Sequence, residues 1–300
     1  MRSIVVGLQG NRDVEPALRF ALDEAVRRRL PLQVVHAYPV PRYGEVTVAL
    51  LPGHVRSLRD EAERVAQAAL ESAKDVVPGG HTVQATLTVM EGHPLSCLLS
   101  FADTAALVVV GSRGFGPFER AIRGSVSAGC LHRCPGPVAV VPDGTGAPAD
   151  RWLRSRVVVG LDGSRASLSA LSWATSQARE WGSTLVPVVV LGRDDLPPPA
   201  LRDGNNLTAL VWRLVSEAGS GDLEIHPRWL RGHPSTQLRG AVGPDDLLAL
   251  GSRGRGGAIE LLAGSTSMPV AESAPCPVVV VQAGQARREI HQRRAQPAEL

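Results

Sequence analysis

Two loops of the chain carry residue types suited to holding a phosphate. Gly111-Ser112-Arg113-Gly114 is followed, after nine residues, by Gly124-Ser125, and Gly251-Ser252-Arg253-Gly254 is followed at the same interval by Gly264-Ser265. A glycine lets backbone approach an anion closely, and successive N–H groups in such a loop form an anion-binding concavity. A Gly-Ser pair that opens a helix adds a side-chain cap and the free N–H groups of the first turn, which attract negative charge. The chemistry is that of a phosphate cradle. Arg113 and Arg253 either neutralise phosphate charge or point to solvent, and Ser127 and Ser267 either donate to a phosphate or saturate local backbone groups. His93 and His233, each before a proline, have no Ser/Asp constellation beside them and read as helix-start residues, so no catalytic residue is assigned.

Each cradle needs a strand to deliver it and a helix to follow it. Leu107 to Val110 and Leu247 to Leu250 are unbroken apolar runs, as expected of parallel strands covered on both faces. Ser3 to Val6, Leu32 to Ala37, Thr82 to Met90 and Val138 to Val141 read as further strands of the first half. Helices are expected after a cap at Asp13, with Pro16 in the first turn, over Val55 to Val76, from Gly92-His93-Pro94 to about Ala102 and from Ser125. Tyr38 to Gly53, rich in proline and glycine, reads as an excursion. The alternation of strand and helix implies an α/β fold with an open, mostly parallel five-stranded sheet and helices on both faces.

The pattern restarts in the second half of the 300-residue chain. A shift of 153 (160 minus 7) superposes Gly7, Leu8, Gly10, Arg12, Ala17, Leu18, Ala21, Ala25, Leu32 and Val35 on identical residues. A shift of 140 (251 minus 111) does the same for Gly92-His93-Pro94, Leu98, Leu107, the glycine tetrad, Gly116, Gly124-Ser125, Ser127, Pro135, Pro137 and Val138. The chain is therefore an internal duplication. Its expected divisions are a first domain over 1–143, a linker over 144–154, a second domain over 155–283 and a polar tail over 284–300.

Net charge is +3, from 32 basic and 29 acidic residues, too small a field to argue for nucleic acid. No segment approaches the length of a membrane span or a secretory leader. The four cysteines, Cys97, Cys130, Cys134 and Cys276, are too few and too uneven for a disulfide framework, and no metal site is assigned; a cytoplasmic setting fits.

The repeated strand, Gly-x-x-Gly, nine residues and Gly-Ser, with Pro-Cys-Pro-Val-Val-Val-Val at Pro275 to Val281, resembles the universal stress protein family as a tandem pair. The resemblance implies an adenine-nucleotide site in each half. In the first half the implied contacts are Gly7, Gln9, Ala37, Val110, Gly111, Arg113, Gly114, Gly124, Ser125, Val126 and Ser127. In the second they are Gly160, Asp162, Val190, Leu250, Gly251, Arg253, Gly254, Gly264, Ser265, Thr266 and Ser267. The ligand implied is ATP, with or without Mg2+, and the role that of a stress or dormancy regulator acting through nucleotide state, with at most slow hydrolysis. A nucleotide-free interaction module for an unidentified protein partner is the alternative. Members of the family commonly pair through their last strands, which implies an intramolecular pseudo-dimer of the two domains, with a homodimer as a further level. Each half departs from the family pattern once. Gln9 stands where an acidic residue is expected and Asp162 stands in the second half; Pro269 follows Ser265 closely enough to shift or loosen that helix start. Unequal affinity is expected, with a slight lean toward the second half.

Overall fold

The computed structural model describes residues 2–8, 16–38, 52–112, 126–143, 155–192, 209, 223–252 and 266–283. It divides into two compact units, Met1–Asp143 and Gly144–Leu300. In the first unit the elements are β1 (Ser3–Leu8), α1 (Pro16–Arg28), β2 (Leu32–Tyr38), α2 (Pro52–Val76), β3 (Ala85–Glu91), α3 (Pro94–Ala102), β4 (Ala105–Gly111), α4 (Val126–Arg133) and β5 (Val138–Val141). The second unit has β6 (Arg156–Leu161), α5 (Arg165–Trp181), β7 (Thr184–Leu191), β8 (Arg228–Arg231), α6 (Pro234–Gly240), β9 (Asp246–Gly251), α7 (Ser267–Ser273) and β10 (Val278–Val281).

Both units have the same strand order. The first reads β3-β2-β1-β4-β5 and the second β8-β7-β6-β9-β10, with every pairing parallel. The first three strands step outward in one direction and the chain then returns to the other side of the first strand. Right-handed crossovers therefore put α1 and α2 on one face and α3 and α4 on the other, and α1 does pack beside α2 and α3 beside α4. The strands are apolar because both faces are covered: Ile4, Val5, Val6, Leu107, Val108 and Val109 are fully buried, as are Val157, Val158, Val159, Leu247, Leu248 and Ala249.

Two local features were not legible at the expected boundaries. Thr82 does not open β3. Gly79 adopts φ 77° and a short 3-10 turn runs over Gly80–Thr82, where the Thr82 hydroxyl donates to the Gly79 carbonyl at 2.7 Å, so that the strand begins at Ala85. A Cβ on Gly80 would lie 2.8 Å from the Lys74 carbonyl oxygen, which explains why the turn takes glycine. The helix α2 begins at Pro52, inside the expected excursion, with proline at a helix start where its missing N–H costs nothing. The rest of that excursion, the residues 144–154 and the tail 284–300 lie outside the described residues.

The ends of α1 and α5 are built alike. Leu30 N–H reaches the Ala25 carbonyl (3.0 Å) and Ser183 N–H the Ala178 carbonyl (2.8 Å), each around one left-handed residue. That residue is Gly182 at φ 64° in the second unit and the exposed Arg29 at φ 52° in the first. An L side chain is strained there, while glycine's greater freedom in the unfolded chain offsets part of the gain. Arg29→Gly should therefore raise stability by about 0.5–1 kcal/mol, read as a higher urea midpoint; a lower midpoint would mean that the arginine side chain contributes more than its backbone costs.

Candidate functional site

The sheet order reverses between β1 and β4, and again between β6 and β9. In an open α/β sheet, ligands bind in the crevice at the carboxyl ends of the strands flanking such a reversal. Gly111 ends β4 and Gly251 ends β9, so each glycine tetrad begins at the mouth of this crevice, and Leu8 and Leu161 end the facing strands. Ser112 and Ser252 N–H groups are tied to the Val141 and Val281 carbonyls at 2.8 and 2.9 Å, fixing the first residue of each loop beside the last strand.

In the second unit Asp162 follows β6 directly. Its Oδ1 accepts the Ser164 N–H at 2.9 Å across Gly163, which has φ 80°. Ser164 then caps α5, its Oγ accepting the Ser167 N–H at 3.1 Å. Asp162 thus sits half-buried in a turn that aims the start of α5, and a carboxylate retains further acceptor sites once one is used. Ser252, only 3% exposed, has an Oγ with no hydrogen-bond partner among the described residues. Gly251 is packed hard: a Cβ there would lie 2.6 Å from Ala166 C and 2.7 Å from Ser167 N. The glycine is required by the close approach of α5.

The strand glycines Gly7 and Gly160, expected beside the ligand, have a packing role. A Cβ on Gly7 would meet Leu98 Cδ1 at 2.9 Å, and one on Gly160 would meet Leu250 Cδ2 at 2.7 Å and Leu238 at 3.3 Å. Leu98 in α3 and Leu238 in α6 are equivalent residues of the duplication, each delivered by the Gly-His-Pro start of its helix. His93 Nδ1 accepts the Leu95 N–H at 3.3 Å, the helix-start role expected of it, and His233 Nδ1 lies 2.9 Å from Ser235 Oγ.

In the first unit Gly111 is half-buried, and among the described residues a Cβ on it would meet only Asp143 Oδ1, at 4.0 Å. Positions 13 and 14, which correspond to Ala166 and Ser167, lie outside the described residues. Val110 is buried and Ala37 half-buried at the end of β2, in register with Met90, as Val190 is with Leu230 in β7. Sequence reading missed His36. It is 8% exposed, and its Nδ1 lies 2.9 Å from the Leu8 carbonyl, one residue before Gln9. Its signal was a polar residue in an otherwise buried apolar strand. Gln9, Arg113, Gly114, Gly124, Ser125, Arg253, Gly254, Gly264 and Ser265 lie outside the described residues.

The helices after the cradles begin one residue out of step. α4 starts at Val126, whereas α7 starts at Ser267 with Thr266 before it and no side-chain cap. The shift places Pro269 in the first turn of α7, where its missing N–H is tolerated. Ser127 and Ser267 are both buried, and Leu250 is 4% exposed. Among the described residues no group of three His, Cys, Asp or Glu could hold a metal ion, and no helix is long and apolar enough to cross a membrane.

Comparison with known proteins agrees with this frame. The model of the universal stress protein family matches twice, over residues 1–142 and 154–282. A universal stress protein of Mycolicibacterium smegmatis is 32% identical over 292 residues, covering 93% of this chain and 96% of that protein. One from Mycobacterium tuberculosis is 29% identical over 287 residues with the same coverages. A solved universal stress protein from Archaeoglobus fulgidus superposes with a TM-score of 0.71 at 20% identity, over 94% of this chain and 96% of its own. Two family matches that together take in nearly all of the duplicated sequence, and relatives of the same length, place the chain in the universal stress protein family as a tandem two-unit member.

Proposed function

We propose that the chain binds an adenine nucleotide at the crevice between the first and fourth strands of a unit and acts as a stress or dormancy regulator through its nucleotide state, with ATP as the ligand. The observation that carries this reading is convergence: each glycine tetrad begins at the strand end facing the one that precedes Gln9 or Asp162, at the reversal of strand order. The groups available in the second unit suit such a ligand. Asp162 would accept from a ribose hydroxyl or hold Mg2+ through phosphate oxygens, and the unpartnered Ser252 hydroxyl stands at the base of the loop. Arg253 and Arg113 would offset phosphate charge. Among the described residues no side chain is placed as a general base for water, and the role proposed is sensing, with at most slow hydrolysis.

A second reading is favoured by the glycines. Gly7, Gly160 and Gly251 each have a packing reason that needs no ligand, which suits a nucleotide-free module docking an unidentified protein. Calorimetric titration separates the two. Micromolar binding of ATP, worth roughly 8 kcal/mol, is expected, and absence of heat at millimolar ATP with and without Mg2+ would overturn the nucleotide reading. All five tryptophans lie from Trp152 onward, so quenching of their fluorescence reports binding in the second half. Nucleotide released by acid from the freshly purified protein identifies the base and the phosphate number together.

A further inference from the structure

The first unit holds a feature that its repeat lacks and that nucleotide binding does not use. Cys130 lies in the last turn of α4, and Cys134 follows the helix end at Arg133. Their backbones are joined by the Cys134 N–H to Cys130 carbonyl bond at 2.9 Å, so the helical turn is complete between them. Four residues of helical rise and rotation set their Cα atoms about 6 Å apart, inside the range a disulfide spans. Both residues are buried, at 0% and 3% exposure. Interaction with the Cys134 sulfur, together with burial, pushes the Cys130 thiol up, and the same interaction holds Cys134 below the usual thiol range against burial and the Asp103 carboxylate. In the second unit the equivalent positions are Val270 and Ala274, so the fold itself asks only for small apolar groups here.

We propose that Cys130 and Cys134 form a peroxide-sensitive dithiol, a modification site that closes to an intrahelical disulfide. Cys134 is the attacking sulfur. Its thiolate attacks one oxygen of hydrogen peroxide, the O–O bond breaks, and the released hydroxide leaves as water after taking a proton, which gives a sulfenic acid on Cys134. The Cys130 sulfur, one helical turn away, then attacks the Cys134 sulfur; its own proton and the departing hydroxide leave as a second water. In sum, two thiols and one peroxide give one disulfide and two waters, the two electrons passing from sulfur to oxygen. The neighbour makes the difference: the sulfenic acid of a lone thiol is open to further oxidation, whereas here a resolving sulfur lies one helical turn away.

The bond also has a mechanical consequence. Side chains four apart on a helix have Cβ atoms about 5–6 Å apart, more than the roughly 4 Å of a disulfide. Closing it therefore draws in the last turn of α4, the helix that begins directly after Gly124-Ser125.

The test uses the intact native protein treated with hydrogen peroxide, quenched, alkylated under denaturing conditions and digested with trypsin. Arg133 lies between the two cysteines, so the disulfide joins two tryptic peptides that are otherwise separate, with a loss of two hydrogens. The joined pair should form in the native protein, and Cys130→Ser should instead give a dimedone adduct on Cys134. Cys97 and Cys276, equally buried in the same chain, should stay reduced over the same time. Cross-linking that appears only after unfolding in urea, or oxidation of all four cysteines at one rate, would overturn the proposal. A Cys130→Val, Cys134→Ala variant, which copies the second unit, keeps the fold and should lose the peroxide response.

Discussion

Gly251→Ala is expected to destabilise the second unit by about 2–3 kcal/mol. The residue type alone does not say so; the packing does. A methyl on Gly251 would press on the backbone of the first turn of α5, on Ala166 C at 2.6 Å and Ser167 N at 2.7 Å, and backbone cannot rotate away as a side chain does. Relief requires α5 to move as a body, against its packing on β6 and β9. Urea unfolding followed by tryptophan fluorescence reads the second half directly, since all five tryptophans lie from Trp152 onward. A loss of stability below about 0.5 kcal/mol would contradict the packing account.

The second large effect concerns the opposite end of the sheet. Arg156 in β6 grips Asp246 in β9 through both carboxylate oxygens, Nε to Oδ1 at 2.9 Å and Nη2 to Oδ2 at 2.5 Å, and the Gly243 N–H donates to Oδ2 at 2.7 Å. The carboxylate is 3% exposed and the guanidinium 38% exposed. Arg156→Ala strands a buried charge with one backbone donor left, at a cost of about 3 kcal/mol. Asp246→Ala costs less, about 1–2 kcal/mol, because the arginine can turn to water. The first unit supplies the control: the equivalent positions are Ser3 and Ala106, and β1 pairs with β4 there without an ion pair, with a shift of register between Ser3 and Ile4. The double change Arg156→Ser with Asp246→Ala should therefore recover most of the loss. Losses that simply add would show that the pair does not act as a unit.

Much of the fold was legible, because parallel strands buried on both faces leave uninterrupted runs such as Leu107 to Val110, and because the duplication supplies each element twice. What escaped was set by tertiary contact or by a single dihedral angle. Thr82 continues a β-branched alternation, yet its hydroxyl is spent on the turn at Gly79. Arg29 occupies a left-handed position that its residue type does not advertise; only its alignment with Gly182 marks it. The candidate site was legible as motif and place but not as cause. A glycine beside a ligand and a glycine beneath a leucine are the same letter, and Gly7, Gly160 and Gly251 turn out to have packing partners.

The joint formed by Leu98 over Gly7, and again by Leu238 over Gly160, bears on how such a duplicated chain can change over time. Each joint is a plug and a socket on distant stretches of sequence, and neither partner can be altered alone without a clash or a void. The same entry turn seats both plugs, with Gly92 at φ 141° and Gly232 at φ 134°. The glycine tetrads at Gly111 and Gly251 are separate from it in sequence. A substitution within one tetrad alters neither plug nor socket in either half, so on the proposed reading one copy could lose its ligand while the other kept it. The duplicated frame thus works as a reserve, holding two folds steady while the chemistry at their mouths parts company.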